Sequence, residues 1–137
     1  MINEKELLQS IDTFLSENKD AILADLKTLI DQPSVRGEAA PGAPYGTDVN
    51  AALEKALAIA RRMGLETVNC EGHIGWADLP GKSKKQIATI AHLDVVPAGN
   101  GWASNPFEMV VKDGCVIGRG TLDDKGPAVL TLSLIHI

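Results

Sequence analysis

The residues most able to carry out chemistry lie in two short stretches of this sequence. In the first, Ala91–Pro97 (AHLDVVP), His92 and Asp94 are two residues apart. Since residues two apart on an extended chain point to the same side, the two side chains can share one face. The imidazole can then bind a metal through one ring nitrogen while the carboxylate accepts a proton from the other. Taken alone, a His-x-Asp pair recurs by chance, and a structural, hydrogen-bonded histidine is then the better interpretation.

The second stretch, Gly118–Pro127 (GRGTLDDKGP), contains the adjacent carboxylates Asp123 and Asp124 before an apolar segment. Acidic residues in this position can simply begin a helix, because they interact favourably with its dipole. They can also present oxygen ligands to a hard or borderline cation. Between the two stretches lies a turn-rich link around Trp102, whose ring is expected to pack on the core.

Helical periodicity dominates the first 64 residues. Asn3 and Glu6 have the spacing of a capping box, and two successive amphipathic stretches follow, the second ending before Pro33. Residues 33–47 are rich in proline and glycine and are predicted to form a loop. Asp48 is the predicted cap of a further helix that ends at Gly64.

After residue 64 the pattern changes to short strands. The predicted strands are 66–70, 75–78, 86–92, 107–111 and 115–117, and Asp113-Gly114 is a hairpin signal between the last two. The segment 86–91 (QIATIA) is nearly continuously apolar, which is typical of a strand buried on both faces. Helices leading into such a strand predict an α/β layered fold with a hairpin at one edge.

Composition excludes several functional classes. The chain has 137 residues, a length suited to one domain, and a formal net charge of −5, which argues against nucleic-acid binding. No apolar run is long enough to cross a membrane, and the polar start does not resemble a secretory signal, so a cytoplasmic location is expected. Cys70 and Cys115 are expected to be buried or half-buried thiols, and His73, beyond a predicted turn, is expected at the surface.

In this order and spacing, the run from His92 to Pro127 resembles the start of the catalytic domain of the di-zinc metallopeptidases that include aminoacylase, acetylornithine deacetylase and carnosinase. It is most similar to their bacterial Xaa-His or β-Ala-Xaa dipeptidase branch, and residues 44–67 (PYGTDVNAALEKALAIARRMGLET) share the likeness. The resemblance implies a zinc-peptidase-like α/β domain with helices packed on a mixed sheet. It covers nearly all of the chain.

The resemblance also implies roles for individual residues. His92 matches a histidine that binds one metal, Asp94 the carboxylate that orients it, and Asp123 a carboxylate that bridges both metals, followed by a cis peptide bond. The implied cofactors are two divalent ions, most suitably zinc, with manganese or cobalt as alternatives. The implied reaction is hydrolysis of the amide bond of a small peptide. A deacylase of N-acyl amino acids and a non-catalytic binding relic remain the alternatives.

Other parts of the family's machinery cannot be assigned in this sequence. They are a glutamate pair, another carboxylate ligand, a distal histidine and a lid domain. We therefore expect residues 1–131 to be the N-terminal part of a truncated catalytic domain that is inactive alone. The final residues, 132–137 (LSLIHI), are what a common transposase sequencing adapter encodes in frame, and are expected to be a non-native tail.

Overall fold

Three helices and two antiparallel hairpins make up the part of the chain described by the computed structural model, residues 3–135. In chain order they are α1 (Glu4–Ile30), α2 (Thr47–Arg62), β1 (Glu66–Cys70), β2 (Ile74–Asp78), β3 (Val110–Lys112), β4 (Cys115–Ile117) and α3 (Lys125–Leu134). The hairpins β1–β2 and β3–β4 form two separate two-stranded sheets. The predicted α/β class is therefore confirmed.

The first helix is a single continuous element of 27 residues, not two stretches. Its start is as predicted, since the side chain of Asn3 accepts a hydrogen bond from the backbone N–H of Lys5 at 3.1 Å. The residues that α1 buries all lie near its C-terminal end: Asp25, Leu26, Leu29 and Ile30. This end of the helix is therefore the part that joins the core.

The second helix packs against the β1–β2 hairpin. Leu53 and Leu57 approach Gly75 of β2 so closely that a side chain there would collide with them. The predicted cap at Asp48 is wrong, because the N-cap is Gly46 and Asp48 lies in the first turn, where its charge still suits the helix dipole. Gly64 follows the helix with a φ of +84°, as expected of a glycine at a helix end.

The predicted buried strand at residues 86–92 is wrong for this structure. The segment is extended but belongs to neither sheet, and Ile87 and Ile90 are 100% and 95% exposed. A strand buried on both faces needs neighbouring strands at its edges and packed layers above and below it. Within residues 3–135 neither hairpin pairs with this segment, and the side chains of Ile87 and Ile90 remain exposed.

Smaller differences concern the last strands and the cysteines. The strand predicted at 107–111 is β3 (Val110–Lys112), because the backbone N–H of Phe107 is bound instead by the Asn105 side chain in a turn. The hairpin at Asp113-Gly114 is confirmed, with φ of +53° and +77°. Both Cys70 and Cys115 are exposed, contrary to expectation, because each lies on the outward side of a two-stranded hairpin.

The core forms where the three helices and the start of β3 meet. Its members are apolar and buried: Leu26, Leu29, Ile30, Ile59, Met109 and Val129. At its edge the buried carboxylate of Asp25 accepts two hydrogen bonds from Arg62, at 2.5 and 2.6 Å, and so links α1 to α2. None of the described helices combines the length and apolar character that a membrane crossing would need.

The boundary expected after residue 131 lies inside α3. Leu132 and Leu134 continue the helix, and Ser133 is buried, donating to the carbonyl of Val129 at 2.8 Å. The last two residues of the expected tail, His136 and Ile137, lie outside the described residues.

The first residue of α3 anchors the C-terminal end of α1. Lys125 is fully buried, and its ammonium group donates to the carbonyl oxygens of Leu29 at 2.9 Å and Gln32 at 2.8 Å. Carbonyls at a helix end lack intrahelical partners, and a cation there interacts favourably with the helix dipole. Burial, together with the charge of Lys55, lowers the pKa of Lys125 to about 8, against an opposing effect of Asp94, so the group remains protonated at neutral pH.

Replacing Lys125 with methionine should destabilise the fold by about 1–3 kcal/mol, because the carbonyl groups of Leu29 and Gln32 lose the ammonium group as a hydrogen-bond donor. The measurement is urea unfolding of the 137-residue chain followed by circular dichroism, with Lys112→Met, at an exposed position of β3, as the matched control. An unfolding midpoint of the Lys125 variant equal to that of the control would show that the anchor contributes nothing.

Candidate metal centre

The segment that carries His92 and Asp94 is held by the residues that follow α1. Ser34 is fully buried, and its hydroxyl donates to the carbonyl of Leu93 at 2.6 Å. The backbone N–H of Val95 in turn donates to the carbonyl of Ser34 at 3.0 Å. These two hydrogen bonds flank Asp94, so they fix the extended backbone on both sides of it.

The turn that carries Asp123 is built between β4 and α3. The backbone N–H of Gly126 donates to the carbonyl of Gly120 at 3.2 Å, and the Thr121 hydroxyl donates to that of Gly118 at 3.0 Å. Gly126 lies against the Thr121 carbonyl so closely that no side chain could be accommodated there. The Asp123–Asp124 peptide bond is cis, as predicted.

These two segments bring the three predicted site residues together. His92 Nε2 lies 2.9 Å from Asp123 Oδ1, although the residues are 31 positions apart. The other ring nitrogen, Nδ1, lies 3.0 Å from the backbone oxygen of Asp94 and 3.4 Å from its carboxylate Oδ1. The backbone N–H of His92 donates to Asp124 Oδ2 at 3.2 Å, a contact that the sequence did not predict.

The contacts of Asp94 refine its expected role. The backbone carbonyl is within hydrogen-bond distance of Nδ1, whereas the carboxylate is slightly beyond the usual range. The backbone carbonyl at position 94 therefore makes the closer contact with the His92 ring, and the carboxylate adds a longer contact and a negative charge.

The surrounding carboxylates favour a protonated His92. Burial opposes the charged imidazolium, but the hydrogen bond to Asp123 and the contacts with the Asp94 carbonyl and carboxylate outweigh it, so the pKa of His92 is raised above its ordinary value. The side chains remain open to solvent, with 49% of His92 and 84% of Asp123 exposed. The negative field that favours a proton on this ring also favours a cation beside it.

His92 and Asp123 fit two positions of a metal site. An imidazole nitrogen and a carboxylate oxygen at the same point form a mixed donor set that suits zinc, and because Nδ1 contacts residue 94, Nε2 is the ring nitrogen that a metal could use. Zinc sites use three or four protein ligands. Within residues 3–135, no group of three or more histidine, cysteine or acidic side chains is placed to hold a metal ion.

A cavity of about 450 Å³ adjoins the pair, with His92 and Asp94 in its wall. Its volume lies in the range of small-molecule sites. Other parts of the wall are formed by Arg36, Tyr45 and His73, of which His73 is exposed, as predicted. Sequence reasoning did not predict that these three residues line one cavity. They lie in two separate loops, and no motif or periodicity connects them.

Sequence reasoning also missed the residues that position His92 and Asp123. Ser34 and Lys125 are both fully buried, although their types are usually exposed. Their positions in the sequence were the one local indication of such a role. Ser34 follows the proline after the first helix, and Lys125 follows the two aspartates.

Comparison with known proteins agrees with this geometry. Residues 88–137 match the sequence model of Peptidase family M20/M25/M40. Three Staphylococcus aureus proteins, from strains USA300, NCTC 8325 and N315, each bear the name "Putative dipeptidase" and are 42% identical over 125 residues. The match covers 90% of this chain and 26% of each relative, so the chain spans about a quarter of the length of these curated relatives. The family match over residues 88–137 and the 42% identity to these relatives support a relationship of this chain to peptidase family M20/M25/M40.

Proposed function

We propose that this chain contributes part of the metal centre of a metal-dependent dipeptidase that hydrolyses the amide bond of small peptides. The family match and the name of the 42%-identical relatives support a peptidase. The dipeptide substrate, the zinc ions and a cytoplasmic location belong to the proposal, as does the assignment to the Xaa-His or β-Ala-Xaa branch.

The observation that carries the proposal is the 2.9 Å contact between His92 Nε2 and Asp123 Oδ1. The two residues come from separate segments, each fixed by buried hydrogen bonds at the end of α1, through Ser34 and Lys125. A nitrogen and an oxygen donor held together at a solvent-accessible point constitute a metal-binding pair.

Each residue has a distinct task in the proposed reaction. His92 and Asp123 would hold a divalent cation, which when bound polarises the scissile carbonyl and lowers the pKa of water. Residue 94 keeps Nδ1 of His92 engaged and so presents Nε2 to the metal. The hydrogen bond from the His92 backbone N–H to Asp124 holds the segment that carries His92 next to the turn that carries Asp123.

Two ligands do not complete a catalytic zinc site, which uses three protein ligands and an open position. Because the relatives are about four times longer than the match, we propose that the remaining ligands, the general base and the substrate-covering lid come from segments outside this chain. The 137-residue chain by itself is then inactive.

Asp123→Asn in the full-length protein should lower kcat/KM for a dipeptide by roughly 10³-fold, since the metal's contribution to the transition state amounts to several kcal/mol. The matched control is Asp113→Asn, in the β3–β4 turn, where asparagine tolerates the positive φ. Equal activity of the two variants would contradict the assignment of Asp123 as a ligand.

Metal removal gives a second test. The full-length protein should bind two equivalents of zinc in a calorimetric titration, lose dipeptidase activity after dialysis against a chelator and regain it with zinc. A protein that hydrolyses dipeptides equally well without metal would refute the proposed mechanism. One that binds no zinc and hydrolyses nothing would instead be a non-catalytic relic.

Asp94→Asn should weaken zinc binding by about 10–100-fold, the usual effect of losing a partner that orients a metal-binding histidine. The affinity is measured by competition with a chromophoric chelator, again with Asp113→Asn as the control. Because the Asp94 backbone carbonyl also contacts Nδ1, an effect at the lower end of that range is expected. Unchanged affinity would assign the orienting role to the backbone alone.

A further inference from the structure

We propose that the cavity beside His92 is a substrate subsite in which Arg36 binds a carboxylate group of the peptide. The inference rests on the proposed function, because it places the peptide's reacting amide at His92 and Asp123. Beyond that function, it specifies that the cavity binds a carboxylate group of the peptide substrate.

The first support is the state of Arg36. Its guanidinium lies 5.7 Å from the centre of the Tyr45 ring, a cation–π distance, and the residue is exposed. Across residues 3–135, Arg36 forms no hydrogen bond or ion pair with another side chain, so its N–H donors are available to a ligand. A planar guanidinium matches a carboxylate through two parallel hydrogen bonds.

The second support is that the residues beneath Arg36 are held in place. The backbone N–H of Gly37 donates to the carbonyl of Tyr45 at 2.9 Å, which ties the two ends of the loop together and sets Arg36 beside the ring. The Tyr45 hydroxyl lies 3.1 Å from Nδ1 of His73, and the two rings meet edge to face with centres 5.4 Å apart. Arg36 thus lies against an ordered platform, by which we mean the contacting side chains of Tyr45 and His73.

The third support is the position of this platform relative to the metal-binding pair. Arg36, Tyr45 and His73 line the same cavity of about 450 Å³ as His92 and Asp94. The two residues of an extended dipeptide span about 7 Å, so one molecule can reach from the pair into this cavity. Apolar side chains of α2 and β2 complete the lining: Val49, Leu53 and Ile74.

The charges in the cavity indicate which group of the peptide is bound. The negative charge of Asp94 lies beside the His92 ring at 3.4 Å, whereas Arg36 has no anionic partner in the described part of the chain. The anionic groups of an ordinary peptide are its C-terminal carboxylate and its acidic side chains. Either supplies the same chemistry to Arg36, and the experiment below separates them.

The test is steady-state kinetics of the full-length, zinc-loaded protein with three peptides. Ala-Ala has only a C-terminal carboxylate, Ala-Glu-amide only a side-chain carboxylate, and Ala-Ala-amide has neither. Arg36→Gln should lower kcat/KM by about 10–100-fold, mainly through KM, for the carboxylate peptide that the subsite binds, and leave Ala-Ala-amide unchanged. A loss with Ala-Ala identifies the C-terminal carboxylate, and a loss with Ala-Glu-amide identifies the side chain.

Two further variants separate a binding role from a structural one. Arg36→Lys keeps the charge without the planar fork and should lose less than Arg36→Gln. Arg61→Gln removes an exposed arginine of α2 that pairs with Glu54, and should leave all three substrates unaffected. Equal losses of Arg36→Gln with all three peptides, or no loss with any, would overturn the subsite.

The same experiment distinguishes the two proposals. Wild-type protein that hydrolyses none of these peptides overturns the proposed function and the subsite with it. Wild-type hydrolysis that Asp123→Asn abolishes and Arg36→Gln leaves unchanged overturns the subsite alone.

Discussion

The rest of the structure depends on the buried ammonium group of Lys125, which donates to carbonyl groups at the C-terminal end of α1 and just beyond it. A buried charge requires hydrogen-bond partners, and the end of a helix offers unpaired carbonyls and a negative dipole. Lys125 contacts the oxygens of Leu29 and Gln32, and so fixes the start of α3 against the end of α1. Two residues after this anchor point, Ser34 bonds to the segment that contains Asp94.

The contact between His92 and Asp123 follows from this arrangement. The end of α1 holds two chain segments that are far apart in the sequence, and residues next to the anchored positions come into contact. Asp31 adds a third segment, because its carboxylate accepts a hydrogen bond from the backbone N–H of Met109 at 2.8 Å. The exposed side chains of His92 and Asp123 are thus positioned by the buried side chains of Ser34 and Lys125, so the geometry is fixed while the pair stays open to solvent.

The sequence predicted those features that depend on neighbouring residues. The helix start at Asn3, the turn at Asp113-Gly114 and the identity of His92, Asp94 and Asp123 as a group could all be inferred from local pattern or family resemblance. The prediction of a buried strand at 86–92 failed because such a strand needs paired neighbours, and in the described residues no strand pairs with this segment. The contact of Arg36 with Tyr45 arises from loop closure, which no periodicity encodes.

The central claim is that His92 Nε2 and Asp123 together bind a divalent metal. The most direct measurement is anomalous diffraction at the zinc absorption edge from crystals of the full-length protein grown with zinc. The account predicts an anomalous peak about 2.0–2.1 Å from His92 Nε2 and within about 2.2 Å of an Asp123 carboxylate oxygen. Zinc bound elsewhere, with the direct contact between His92 and Asp123 retained, would contradict it.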